Sequence, residues 1–300
     1  MAIKFAIYTS HPIPTAAPSP DQPSNDAGLW SPLSCTLVYT PKTAILVDCP
    51  ASVGPTADLA SWIRATLPVG CTLKHFIASH AHGDHFLGLP VLRQSFPGIT
   101  ATGTRSVVGG IAEQYAPPTY DGLWKLAFPP AADGTGLPDE NQTKVDFVAL
   151  PPSNEIDLDG HPVRAIDVPH GDTHANSFVH VPELDLVVAG DIVYNADCHQ
   201  WLGEACTREK RDRWVDALSQ IAALKPKIVV PGHTFTPASE PDEAVAMSML
   251  TSTEDYIRGF EEELAKADNE SDLFGRMRAR YSRWNLYILN GGCQAGIKYK

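Results

Sequence analysis

Apolar residues fall into two periods along this chain, and the order of those periods is similar in its two halves. Residues 1–8 read as a short strand. Residues 35–39 and 43–47 (TAILV) are apolar, β-branched runs around a Thr40-Pro41-Lys42 turn, which predicts two more strands. Over 57–67 the spacing becomes helical, with Leu59, Ile63 and Leu67 on one face. Residues 73–78 (LKHFIA) are again strand-like and end at a cluster of histidines, and 85–95 and 105–115 predict helices. The second half repeats the scheme. Strands are predicted over 144–150, 162–168, 177–181 and 184–189, the last two as a hairpin across Pro182-Glu183. A helix over 208–224 has Trp214, Leu218, Ile221 and Ala222 as its buried stripe. Residues 227–230 (KIVV) predict a strand that ends at Pro231-Gly232-His233, and helices follow over 243–267 and 272–283. Strands and helices mixed in this way predict an α/β protein.

Composition narrows the class. With 43% hydrophobic and 19% charged residues, 300 residues can bury a sizeable core without disulfides. Lys and Arg number 23 against 35 Asp and Glu, a net charge of −12, which argues against nucleic acid and anionic membranes as partners. The start has no apolar core suited to an export signal, and no run of ~18 apolar residues suggests a membrane span. A cytoplasmic protein acting on a small molecule is therefore expected. Its six cysteines show no close CxxC pair and are expected to be reduced thiols. Residues 116–142 differ in kind: five prolines and scattered glycines make a long loop carrying Leu123-Trp124, and loops of this length more often bind or cover ligands than merely connect.

The chemistry is concentrated in Ser79-His80-Ala81-His82-Gly83-Asp84-His85. Three histidines and an aspartate within six residues follow a buried-looking strand, and a turn at a strand end can aim alternate side chains into one cavity. Imidazole and carboxylate there suit zinc.

This HxHxDH stretch resembles the signature of the metallo-β-lactamase superfamily. The resemblance covers about residues 34–233. It implies a four-layer αββα sandwich and one domain over 1–300, with a loop insertion at about 116–142 and a C-terminal helical extension at about 240–285. It further implies two Zn2+ ions. One would be held by His80, His82 and a third histidine, the other by Asp84, His85 and His233 of the Pro231-Gly232-His233 step, with Asp191 of Val188-Ala189-Gly190-Asp191 bridging them. Where many members carry Gly-His-Thr, this chain reads His170-Gly171-Asp172-Thr173-His174. His170 follows the predicted strand directly and is the preferred third ligand, with His174 the alternative. Asp48, at the end of the TAILV strand, matches a position that orients the metal-binding loop in relatives. Tyr194, three residues after Asp191, matches a tyrosine that donates to the substrate carbonyl or the developing oxyanion in some lactone-hydrolysing relatives.

The implied activity is hydrolysis by a metal-bound hydroxide, with Asp84 and Tyr194 as catalytic residues. His82 in the middle of the motif, where redox relatives place a carboxylate, favours zinc. Trp30, Leu123-Trp124 and His199-Gln200-Trp201-Leu202 are candidate pocket walls, which would suit a flat, apolar ligand. No cluster of Lys and Arg lies near the ligand motifs to grip a phosphate. The opening at 8–20, the Asp-x-x-Tyr step and VPELDLVVAGDIVYN are similar to small-molecule hydrolases of the superfamily, some of which, in fungi, open lactams such as benzoxazolinones. A lactam or lactone is accordingly the expected substrate. A thioester hydrolase, or a mononuclear iron persulfide dioxygenase of the same fold, is the alternative.

Overall fold

The computed structural model describes residues 2–16, 28–139, 144–238 and 240–300. In the first sheet, strand Ser34–Tyr39 lies between Lys4–Thr9 and Thr43–Val47, both antiparallel to it. Thr72–Ile77, Thr100–Gly103 and Val148–Ala149 then extend the sheet in parallel. In the second sheet Glu155–Leu158, His161–Val168, Asn176–Val181 and Leu186–Gly190 are successive antiparallel neighbours, and Ile228–Pro231 adds in parallel beside Leu186–Gly190.

The central strands are apolar on both faces, and each face has its own partner. Val38, Ile45, Val47 and Ile77 meet Val163, Val179, Val188 and Val230 between the sheets. The alternate residues Leu37, Leu46 and Phe76 pack outward against Leu59, Ile63, Leu92 and Val107 of helices Val53–Thr66, Leu89–Ser95 and Arg105–Gln114. On the other outer face Phe178, Val187 and Val229 lie under Trp214, Leu218 and Ile221 of helix Arg208–Ala223 and Ile257 and Phe260 of helix Glu243–Lys266. Period-2 strands buried on both faces thus give helix, sheet, sheet, helix: the four-layer αββα sandwich.

The structure departs from the periodicity in several places. The helix expected over 85–95 begins only at Leu89, because Gly83–His85 forms a tight 3-10 turn. Strand Glu155–Leu158 was not foreseen, nor was helix Leu286–Lys298, whose buried Leu286, Leu289 and Cys293 are interleaved with Gly291, Gly292 and Gly296, residues that weaken the helical signal. Part of the stretch expected as a loop over 116–142 is helical, as turns over Pro117–Thr119, Tyr120–Trp124 and Lys125–Ala127, begun by Pro117 at a helix start. Residues 140–142 of the insertion and 17–20 of the opening lie outside the described residues. All six cysteines are unpaired thiols, five of them buried. Among the described residues, no helix is long and apolar enough to cross a membrane.

Candidate metal centre

The chemistry-bearing residues collect where strands end. Asp48 follows Thr43–Val47, the histidine motif follows Thr72–Ile77, residues 170–174 follow His161–Val168, Asp191 follows Leu186–Gly190, and His233 follows Ile228–Pro231. Main-chain bonds tie the two sheets together along this edge: Ser34 N–H donates to Gly232 O at 2.8 Å, and Ser177 N–H to Ser79 O at 2.9 Å. Two glycines make the close approach feasible. Gly190 adopts φ +52° and has Ser79 where a Cβ would stand, and a Cβ on Gly232 would collide with the Asp191 carboxylate.

Among the described residues, three groups of metal-type donors have their ligand atoms within 4.8 Å of one another: the two separate sets His80, His82 and Asp172, and Asp84, His85 and His233, and a set of Asp48, His80 and His85 that overlaps both. Asp191 reaches towards the second group, with Oδ1 3.3 Å from His85 Nε2 and Oδ2 3.4 Å from His233 Nε2. The outward nitrogen of each of these imidazoles is held. His80 Nδ1 meets Ser79 Oγ at 3.0 Å, His82 Nε2 meets Glu204 Oε1 at 2.8 Å, His85 Nδ1 meets Asp48 Oδ2 at 3.0 Å, and His233 Nδ1 donates to Pro32 O at 3.0 Å. Asp48, in the left-handed region at φ 63°, also accepts from Ser79 N–H and Ser79 Oγ–H. The carboxylates are held as well: Asp84 Oδ2 accepts from Trp30 Nε1–H and Asp191 Oδ2 from Tyr194 O–H, both at 2.8 Å. Asn176 Nδ2 donates to Asp172 Oδ1.

What remains inside is unsatisfied. His80 Nε2 is buried without a hydrogen-bond partner, and Asp172 Oδ2 and Asp191 Oδ1, also buried, face only imidazole nitrogens of the cluster. Buried polar atoms are normally paired, and an inward ring nitrogen whose outer nitrogen is fixed by a hydrogen bond is the usual state of a metal-binding histidine. Electrostatics agree. Burial pushes the Asp191 carboxyl up, yet His233 and His85 outweigh it and hold it well below the usual carboxylate range. Burial likewise opposes the Asp84 carboxylate, and His85 and His233 again hold it down. For Asp172 burial prevails over His82 and raises it. So many buried ionisable groups in mutual contact fit a cation at the centre.

Of the residues singled out in the sequence, His80, His82, Asp84, His85, Asp191 and His233 are brought together, with Asp48 behind them. His170 is not in either group. Its Nδ1 faces Gly171 O at 2.7 Å, and Asp172 stands beside His80 and His82 instead. His174 is turned to the surface, its ring nitrogens 3.4 Å from Glu113 Oε2 and 4.0 Å from Glu204 Oε2. The physical reason is the hydrogen bonding of the turn: Gly171 N–H donates to Thr173 O and Asn176 anchors Asp172, so the strand's exit directs the aspartate inward. In sequence Gly171-Asp172-Thr173 places an aspartate in the middle of Gly-His-Thr, and His170 Nε2 is buried without a hydrogen-bond partner.

The family model of the metallo-beta-lactamase superfamily matches residues 28–233, more than two thirds of the chain. The chain belongs to the metallo-beta-lactamase superfamily. Solved structures agree on the fold. A metallo-beta-lactamase family protein from Thermus thermophilus is 17% identical with a TM-score of 0.62, over 98% of this chain and 92% of that one. The DIM-1 metallo-beta-lactamase, in a structure of the enzyme exposed to ceftazidime, is 22% identical with a TM-score of 0.53, over 85% and 92%. A metallo-beta-lactamase from Hirschia baltica is 15% identical with a TM-score of 0.52, over 84% and 98%. None of the curated proteins matches the chain in sequence. Membership makes the protein a metal-dependent hydrolase, and the two His/Asp groups are its candidate metal sites.

Above this superfamily centre opens a cleft of about 290 Å³. His82, Asp84, Asp191 and His233 reach it from below. Trp30 is the hub of its wall, with ring centroids 5.3 Å from Phe128, 5.3 Å from Tyr287 and 6.1 Å from Trp124. Leu123 and Trp124 arrive from the insertion, and His199 and Trp201 from the segment after Asp191. Gln200 and Leu202 are buried away from the cleft. Tyr287 and Ile288, missed because helix Leu286–Lys298 was not foreseen, lie beyond the family-matched stretch. Glu204, 122 residues from the His82 it touches, left no signal in the sequence at all.

Proposed function

We propose that this hydrolase holds two zinc ions, one at His80, His82 and Asp172 and one at Asp84, His85 and His233 with Asp191 between them, and opens a lactam or lactone of a small aromatic molecule. The observation that carries the reading is the donor arrangement: outer ring nitrogens tied down, His80 Nε2 buried and unpaired, and the inner oxygens of Asp172 and Asp191 buried against imidazoles alone. Ligands on three sides with one side facing the cleft make a catalytic rather than a closed site. Two divalent ions would supply Lewis acidity and lower the pKa of a shared water toward ~7. The chain's own part is positioning. Asp48 and Glu204 fix imidazole orientation, Trp30 fixes Asp84, and the tryptophan walls hold a flat ring and exclude water.

Tyr194 is buried, lines the cleft and donates to Asp191 Oδ2 at 2.8 Å. Burial, reinforced by Asp191, raises its hydroxyl well above the usual tyrosine range, so it acts as a donor and not as a base. Tyr194→Phe should lower kcat about ten- to a hundredfold with a smaller change in KM, as expected for an interaction that strengthens in the transition state. Steady-state kinetics on a ring-opening substrate check this; an unchanged kcat would leave the hydroxyl a packing detail.

One observation favours a second reading. His80, His82 and Asp172 are two histidines and a carboxylate, a set that also suits a single non-haem iron. Elemental analysis of purified protein, paired with a panel of lactams, lactones and thioesters, separates the two. About two zinc ions per chain with ring opening supports the dinuclear hydrolase. About one iron with oxygen uptake on a thiol substrate moves the reading to the dioxygenase.

A further inference from the structure

We infer that the cleft selects neutral or cationic aromatic substrates and rejects those carrying a carboxylate, sulfonate or phosphate beside the ring. The inference rests on the proposed site and adds to it the charge class of the ligand. Among the described residues no lysine or arginine lines the cleft, and all 23 lysines and arginines of the chain lie within those residues. The undescribed segments contain no lysine or arginine. The polar wall is acidic instead. Glu113 and Glu204 flank His174, and Glu204 is locked in place by His82 Nε2 at 2.8 Å and by Thr173 Oγ1–H, which donates to Oε2 at 2.6 Å. Its carboxylate thus stands fixed on the cleft wall.

The metal centre does not reverse this sign. Two divalent ions carry four positive charges, and Asp84, Asp172 and Asp191 offset three of them. With an imidazole in place of Asp172 the centre would stay one charge more positive. Glu113 and Glu204 then cancel the remaining charge even with Lys210 Nζ, 3.0 Å from Glu204 O and outside the lining, counted in. An anionic substituent would meet like charge in a partly desolvated pocket, with no donor fork to receive it. A neutral ring loses nothing by entering, and a cation gains from the faces of Trp30, Trp124 and Trp201 as well as from the glutamates.

The test reads binding apart from turnover. Phenylacetamide, phenethylammonium and phenylmethanesulfonate share one ring and differ in charge, and sulfonate is a poor metal ligand. In calorimetric titrations of chelator-treated and of zinc-loaded protein at low salt, the amide and the ammonium should bind at least about tenfold more tightly than the sulfonate. Glu113→Lys, at an exposed helix position on the rim, should close most of that gap. Asp216→Lys, which changes net charge equally at an exposed site outside the cleft, should not. Sulfonate binding equal to that of the amide overturns the inference. So does an equal effect of the two lysine variants, or no binding of the neutral and cationic probes. Dihydrocoumarins substituted with carboxamide, aminomethyl or carboxylate separate this from the ring-opening reading. If none is hydrolysed while the binding order persists, ring opening fails and charge selection stands. Faster opening of the carboxylate member overturns charge selection alone.

Discussion

Asp172→Ala should remove about one metal ion per chain and lower kcat/KM by about three orders of magnitude, a loss of ~4 kcal/mol of transition-state stabilisation. Asp172 is fully buried, accepts from Asn176 through Oδ1, and presents Oδ2 to the two imidazoles, 2.8 Å from His82 Nδ1 and 3.7 Å from His80 Nε2. Removing it leaves the first ion two imidazoles and only a share of Asp191, fewer than the three full protein donors usual at a catalytic zinc. The informative comparison is His170→Ala. His170 is also buried, but its Nδ1 faces the neighbouring Gly171 carbonyl and it belongs to neither donor group. That variant should keep its metal content and most of its activity, losing some thermal stability through the void it leaves. Metal analysis and kinetics on the two purified variants decide between them. Loss of metal in His170→Ala with retention in Asp172→Ala would return the third ligand to the histidine.

Asp84→Asn should have an effect of similar size, with metal content falling from about two ions to about one and kcat/KM dropping about a thousandfold. The asparagine keeps the shape and leaves an amide oxygen to accept from Trp30 Nε1–H, now a 2.8 Å bond, so the cleft wall should stay in place. What it loses is the charge facing His233 Nε2, 3.3 Å away. His85 and His233 already hold the Asp84 carboxyl far below its usual range, so the native residue is an anion at any working pH. Near-ultraviolet circular dichroism reports whether the tryptophans around Trp30 keep their packing. An intact spectrum with unchanged metal content and activity would remove Asp84 from the metal centre.

The fold was legible from the chain because the sandwich is written in local patterns. Residues 43–47 (TAILV) and 228–230 (IVV) are apolar on both faces, and double-sided burial is what a central sheet between two helical layers demands. The motif residues His80, His82, Asp84 and His85 were legible for a related reason. They occupy one strand-end turn, so their spacing along the chain is also their spacing in space. Asp191 and His233 were reached through strands that end at the same edge.

Tertiary structure alone decided the rest. Whether His170, Asp172 or His174 turns inward depends on Asn176 and on the turn's own hydrogen bonds, which no periodicity records. Glu204 touches His82 across 122 residues, and Trp30 reaches Asp84 across 54. Tyr287 enters the cleft from a helix whose glycines mask it in sequence. The sequence by itself determined which layers form and which side chains can bind a cation, because burial and ligand type are local properties of a residue. The packing of distant segments determined which side chain of the 170–174 turn faces His80 and His82, the partners that orient the imidazoles and the charged groups on the cleft wall, because those depend on which side chains meet across long loops.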